Sequence, residues 1–209
     1  MQMWYDNWLL WMLTSVVACL LAVAIAFYVW LRITATHRRT LTTLRNISDR
    51  LLRDVVLPDG VGGHIGVDAL LLRDDRLYVL VIRQAHGAIF SGVKMNQWTI
   101  MGRHQRFSFR NPLHLMQDQI LALRTLVPEI PLVPRILFTG HGHFPKGRPE
   151  DVELLEEFAA PLRRPKKFKL QSLNPKIEEI WTRLCVTTGV PPGKEVPELS
   201  AEASSTAGT

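Results

Sequence analysis

The chain has 209 residues, a formal net charge of +6 and a mean hydropathy of +0.06, with 47% hydrophobic and 21% charged side chains. Its length allows one ordinary domain plus additions, and its composition excludes a wholly disordered chain and a multi-span transporter. Of its two cysteines, Cys19 lies inside an apolar run and Cys185 has no evident partner, which excludes a secreted disulfide scaffold.

Residues 8–31 carry no charge. As a helix this run rises about 36 Å, enough to cross a hydrocarbon core of roughly 30 Å with some tilt. Trp4, Trp8 and Trp11 lie near one end and Tyr28 and Trp30 near the other, where the aromatic belts of a membrane helix belong. A cleaved signal peptide fits poorly: MQMWYDN holds no Lys or Arg, the run is too long, and no small-x-small site follows. Asp6 is the only charge before the run, whereas Arg32, Arg38, Arg39 and Arg45 follow it. The positive-inside rule therefore predicts a single-pass inner- or plasma-membrane protein, N-terminus outside and C-terminal domain cytoplasmic. Residues 32–44 are its basic juxtamembrane segment.

Beyond the anchor, residues 36–53 place Leu41, Leu44, Ile47, Leu51 and Leu52 at helical spacing and read as an amphipathic helix. Asp54–Pro58 reads as a short strand stopped by a glycine-rich turn. Ile65–Leu72 and Leu77–Arg83, separated by RDDR, predict an antiparallel hairpin. Short strands are expected at 88–91, 97–101 and 105–109, a helix from Asn111–Pro112 to about Val127, and a buried strand at Val133–Thr139. Helices are expected at about 150–159 and 174–188, the first presenting Glu153, Glu156 and Glu157 as an exposed acidic face. The second places Cys185 with Trp181 on a packed face. The last segment, 189–209, is Pro/Ser/Ala-rich and reads as disordered. This order predicts an α/β fold, a mixed sheet flanked by helices.

Charge is unevenly distributed. Residues 32–110 hold 13 basic and 6 acidic side chains, against 12 of each in 111–209. From Arg76 to Gln117 there is no Asp or Glu, while the same window holds Arg76, Arg83, Lys94, Arg103, Arg106 and Arg110. The FSFR alternation and Trp98 put aromatic groups among these cations, the composition of a phosphate-binding face. A solvated basic face beside an anionic leaflet has the same composition.

Taken together, DVVLP with its glycine turn, IGVDALLL, LYVLVIRQAHGAIFSG, NQW, the NPL helix start and ILFTGHGHFPKG are co-linear. In that order they resemble the nuclease-related domain (NERD) family across about residues 45–160. The resemblance implies a restriction-endonuclease-like fold, in which a strand Asp and a Glu-x-Lys on the next strand hold Mg²⁺ and position a water. Asp68 matches the family's strand aspartate. The Glu position falls on Val81, the Lys position on Arg83, and the position after Asp68 is Ala69 instead of His. No acidic residue between Asn7 and Ser48 replaces the family's upstream helix glutamate, and the expected helix Gln is Leu115, with Gln117 and Gln119 nearby. Val81 cannot bind metal and Arg83 is a permanent cation, so an Asp68–Arg83 ion pair is expected in place of a metal site. With those departures the resemblance implies a catalytically degenerate nuclease fold. No cofactor is expected, Mg²⁺ entering only if activity is retained through a carboxylate from about 150–157.

Two further motifs carry less. His141-Gly-His143 has the spacing of two metal ligands but lies in a GHGHFPKG turn with no Cys, and reads as a turn. Arg163–Lys169 (RRPKKFK), in a linker leading to the C-terminal helix (161–188), suits nucleic acid, lipid headgroups or plain solvation. The expected function is thus nucleic-acid binding through Arg83, Lys94, Arg103, Arg106 and Arg110, with DNA and RNA not distinguished. The alternatives are a protein-interaction module at the membrane and an active Mg²⁺ nuclease. Ala18, Ala22 and Ala26 permit helix pairing only weakly, leaving the oligomeric state open.

Overall fold

The computed structural model describes residues 3–60, 62–103, 105–163 and 174–190. It divides into two units, Met1–Leu41 and Thr42–Thr209. The first is helical, part of α1 (Met3–Ile47). Within it Trp11–Tyr28 has a mean hydropathy of 2.2 and no buried residue, and is long and apolar enough to cross a membrane.

In the second unit the chain order is β1 (Arg50–Pro58), β2 (His64–Arg73), β3 (Arg76–Gln84), β4 (Gly87–Phe90), β5 (Gln97–Met101) and β6 (Arg106–Arg110). There follow α2 (Pro112–Leu126), β7 (Leu132–Thr139), β8 (Gly142–His143), β9 (Val152–Leu154), α3 (Leu155–Leu162) and α4 (Pro175–Thr188). The fold is mixed α/β, with two mixed sheets. The larger sheet has the order β1-β2-β3-β7-β9, antiparallel from β1 to β3 and parallel from β3 to β9. The smaller has the order β6-β5-β4-β8.

The larger sheet is covered on both faces. Leu123 of α2 and Trp181, Leu184 and Cys185 of α4 pack on Leu52, Leu70, Leu72 and Val79. Leu44 and Ile47 of α1, with Leu155 and Phe158 of α3, pack on Leu51, Leu71, Leu80 and Leu137. Alternate side chains of one strand thus supply two cores, the period-2 geometry of a doubly covered sheet. The β2–β3 hairpin closes through Asp74 and Asp75, both at positive φ (49° and 57°), the conformation of a two-residue turn that matches strand twist.

The smaller sheet is continuous with the larger one through a bend. β3 runs on into β4 and β7 into β8, and the ladder survives the bend through Ala85 N–H to Thr139 O (2.9 Å) and Gly87 N–H to His141 O (3.1 Å). Gly87 has φ +113°, and a Cβ there would lie 2.2 Å from the Met101 carbonyl oxygen, so only glycine fits. Trp98, Ile89, Phe138 and Leu113 fill the space behind the bend.

Two of the expected helices differ from the sequence expectation. The helix expected over 36–53 ends at Ile47. Asp49 N–H bonds the Leu72 carbonyl, and Leu51 and Leu52 point to opposite faces of β1 instead of sharing one helix face. The helix expected from about 150 begins only at Leu155. Before it Val152–Leu154 adds β9 beside β7, and Arg135 of β7 binds both Asp151 and Glu153. In both places strand pairing with a distant segment overrides local helical spacing.

Candidate functional site

β2 and β3 are paired from Arg73↔Arg76 to Ala69↔Leu80. Beyond that point β2 stays with β1 as far as Pro58↔His64, and β3 stays with β7 as far as Gln84↔Thr139, so the sheet forks. Asp68 sits where the strands part. Its Oδ2 accepts a hydrogen bond from the Ile82 backbone N–H (2.7 Å), replacing a ladder bond, and another from Arg83 Nη1 (2.8 Å). Arg83 Nη1 also donates to the Ile82 carbonyl. The ion pair expected from sequence is therefore formed, with both side chains about one-third exposed (34% for Arg83, 36% for Asp68). Gln119 of α2, fully buried, donates from Nε2 to the Gly66 carbonyl (2.8 Å) on the β2 arm of the fork. Gln117, the other candidate from the sequence, is exposed.

This donor set does not fit a divalent cation. Mg²⁺ takes oxygen ligands in near-octahedral geometry. Here the one carboxylate of the fork already receives two donors at Oδ2, a guanidinium stands beside it, and Val81 is fully buried against the core of the bend. Among the described residues no group of three or more His, Cys, Asp or Glu side chains is placed to hold a metal ion. Four carboxylates that follow β7 are engaged elsewhere: Asp151 and Glu153 with Arg135, Glu156 with Arg163, and Glu157 with Arg148. Of the exposed acidic helix face expected from sequence, Glu156 and Glu157 are exposed on α3, whereas Glu153 is on β9. Arg148 donates to Glu157 and holds its carboxyl below the usual range.

The other cations lie on the smaller sheet. Register places Gln97 opposite Arg110, Thr99 opposite Ser108 and Met101 opposite Arg106 on one face of the β5–β6 hairpin. Trp98 with Phe109 and Ile100 with Phe107 occupy the other. Arg106 and Arg110 are thus on one exposed face, with the Thr99–Ser108 hydroxyl pair (3.0 Å) between them. Arg103 is exposed in the turn at the Arg106 end. Lys94 is exposed in the loop at the Arg110 end. That loop is held from inside: Asn111 Nδ2 donates to the Met95 carbonyl (2.8 Å) and Trp98 Nε1 to the Gly92 carbonyl (3.0 Å). Asn111 also caps α2, its Oδ1 accepting from Leu113 N–H.

Three of the five cations singled out from sequence therefore share the β5–β6 hairpin, Lys94 lies in the loop leading into it, and Arg83 stands apart at the fork. Trp98 does not belong to that face. It is fully buried, stacked with Phe138 (6.3 Å), because it is the large apolar group that fills the bend. His143 joins β8 where a turn was expected, and the His86 and His141 rings meet at 6.3 Å on the bend. Sequence reasoning missed Lys146, whose ammonium lies over the Phe90 ring (5.8 Å). It also missed the clamp formed by Asn111. Of RRPKKFK only Arg163 lies within the described residues, as do only Gly189 and Val190 of the C-terminal tail.

The sequence model of the nuclease-related domain family matches residues 34–139, just over half of the chain. The chain belongs to that family. The matched stretch of the nuclease-related domain begins within α1 and ends with β7, so it includes the fork, the β3–β4 side of the bend and the whole β5–β6 hairpin. No curated protein and no solved structure matches the chain.

Proposed function

We propose that the protein is a single-pass membrane protein with a cytoplasmic nuclease-related domain that binds nucleic acid through the β5–β6 hairpin and has lost the catalytic constellation. The observation that carries this reading is the state of the cations on the hairpin and in the loop leading into it. Lys94, Arg103, Arg106 and Arg110 are exposed, none has an ion pair among the described residues, and no acidic side chain occurs on β4, β5, β6 or the turns between them. Unneutralised cations on a fixed scaffold release counterions from a phosphate backbone, which is the main source of sequence-independent affinity. At the fork, Arg83 is a guanidinium able to take phosphate in place of carboxylate. Val81 and the Asp68–Arg83 pair support the loss of metal-dependent chemistry. The basic flank after the apolar helix supports the cytoplasmic placement of the domain.

The full-length protein in neutral detergent, titrated into labelled DNA and RNA at about 50 and 200 mM salt, tests this. A site with 6–10 phosphate contacts weakens roughly 10³–10⁵-fold over that range, and a smaller site proportionately less. Absence of binding at the lower salt refutes the reading and leaves a protein partner as the occupant of the hairpin. Mg²⁺-dependent cleavage that disappears in Asp68→Ala refutes the loss of catalysis.

A further inference from the structure

β6 is the outer strand of the smaller sheet, so among the described residues one of its edges has no strand beside it. It carries Phe107, 62% exposed although it follows the core-facing parity of Trp98 and Phe109. The ring is not loose. It stacks on Phe109 at 6.1 Å with an interplanar angle of 16°, and Phe109 is in turn packed edge-on against Trp98 at 6.3 Å. The Phe107 ring is thus steadied by a neighbour that packs on the core, while the side chain as a whole is presented to solvent. On the opposite side of the same strand stand Arg106 and Arg110, about 13 Å apart by strand rise, and Arg103 is in the adjoining turn.

An exposed ring with its back supported, bordered by unpaired guanidiniums and free of acids, is the arrangement that takes an unstacked base together with its flanking phosphates. A duplex offers phosphates to the same arginines but keeps its bases stacked inside, where the Phe107 ring cannot reach them. We infer that the open edge of β6 is a single-strand stacking site, Phe107 taking a base on one side of the strand while Arg106 and Arg110, on its other side, hold the backbone as it passes around the edge. The inference rests on the nucleic-acid reading above and adds the strand class to it.

The test compares a labelled pyrimidine-rich single strand with the duplex of the same sequence, using the full-length protein in neutral detergent. The wild type is expected to prefer the single strand. Phe107→Ala should weaken single-strand binding roughly 5- to 150-fold, leave duplex binding within about twofold, and be rescued by Phe107→Tyr. Since the ring is exposed, the variant is expected to melt like the wild type, which thermal unfolding verifies. Equal loss on both substrates, or no loss on either, overturns the stacking site and leaves the nucleic-acid reading in place. No binding of either substrate by the wild type refutes that reading itself. Protection of the β6 amides in phosphatidylserine-containing nanodiscs, with strand binding unaffected by Phe107→Ala, assigns the edge to lipid and overturns the inference.

Discussion

The two sheets treat positive charge in opposite ways. Around the larger sheet most arginines are neutralised, Arg76 at the start of β3 being an exception: Arg50 by Glu178, Arg73 by Asp74, Arg83 by Asp68, Arg135 by Asp151 and Glu153, and Arg183 by Glu129 and Glu179. On the smaller sheet Lys94, Arg103, Arg106 and Arg110 have no such partners among the described residues, and their positions are set by what lies beneath them. Trp98 and Asn111 hold the loop carrying Lys94, and cross-strand register holds Arg106 and Arg110. Charges of the first kind stabilise the fold modestly and leave little field outside. Those of the second kind contribute little to stability and keep their charge for a partner.

If that contrast holds, reversing the free cations should change binding and not folding. The triple variant Arg103→Glu, Arg106→Glu, Arg110→Glu should lose more than about a hundredfold in nucleic-acid affinity, and neutralising each residue singly should lower the salt slope by about one. Its thermal midpoint should stay near that of the wild type. A large drop in the midpoint would show that the hairpin needs these cations structurally. Asn111→Ala probes the support beneath the charge. Losing both the α2 cap and the Met95 contact should destabilise the domain by about 1–2 kcal/mol in denaturant unfolding. It should also speed hydrogen exchange across residues 91–96.

On the other side of the contrast, Asp68→Ala leaves Arg83 unpaired and the Ile82 N–H without its acceptor. The expected cost is about 1–2 kcal/mol, kept low because solvent screens side chains one-third exposed, and Asp68→Asn should recover part of it. The smallest effect belongs to Arg148→Ala. Because Glu157 titrates below its ordinary range when folded, the pair contributes stability above the unfolded carboxylate pKa of about 4.3 and loses it as pH falls through the depressed value. Glu157 is half exposed, so the difference between Arg148→Ala and wild type should be at most about 1 kcal/mol near pH 7. It should shrink towards zero on acidification. A constant difference across that range would mean that Arg148 acts through its packing over Phe144, 5.6 Å away, and not through charge.

Much of this was legible in the sequence because the determinants are local. The β2–β3 hairpin follows from two β-branched runs around Asp74–Asp75, and the β5–β6 hairpin from its alternation. The Asp68–Arg83 pair was expected from the family resemblance, which puts those two residues at neighbouring positions of one site. The absence of acids from Arg76 to Gln117 is a property of composition, so no cross-strand neighbour within that window can neutralise the hairpin's cations. What the sequence could not supply were the long-range pairings. Val152–Leu154 becomes a strand only because β7 offers an edge, Leu51 and Leu52 part company only because β2 lies beside them, and Gln119, not Gln117, is taken inside to Gly66. Trp98 looks like a surface aromatic among arginines until the bend at Gly87 makes a space behind it that this ring occupies. The sequence by itself thus determined which segments carry charge and which hairpins form, since both depend on neighbours along the chain. Only the tertiary structure decided which cations would meet an acid and which aromatic would face solvent, since those depend on which distant segments the sheets bring together.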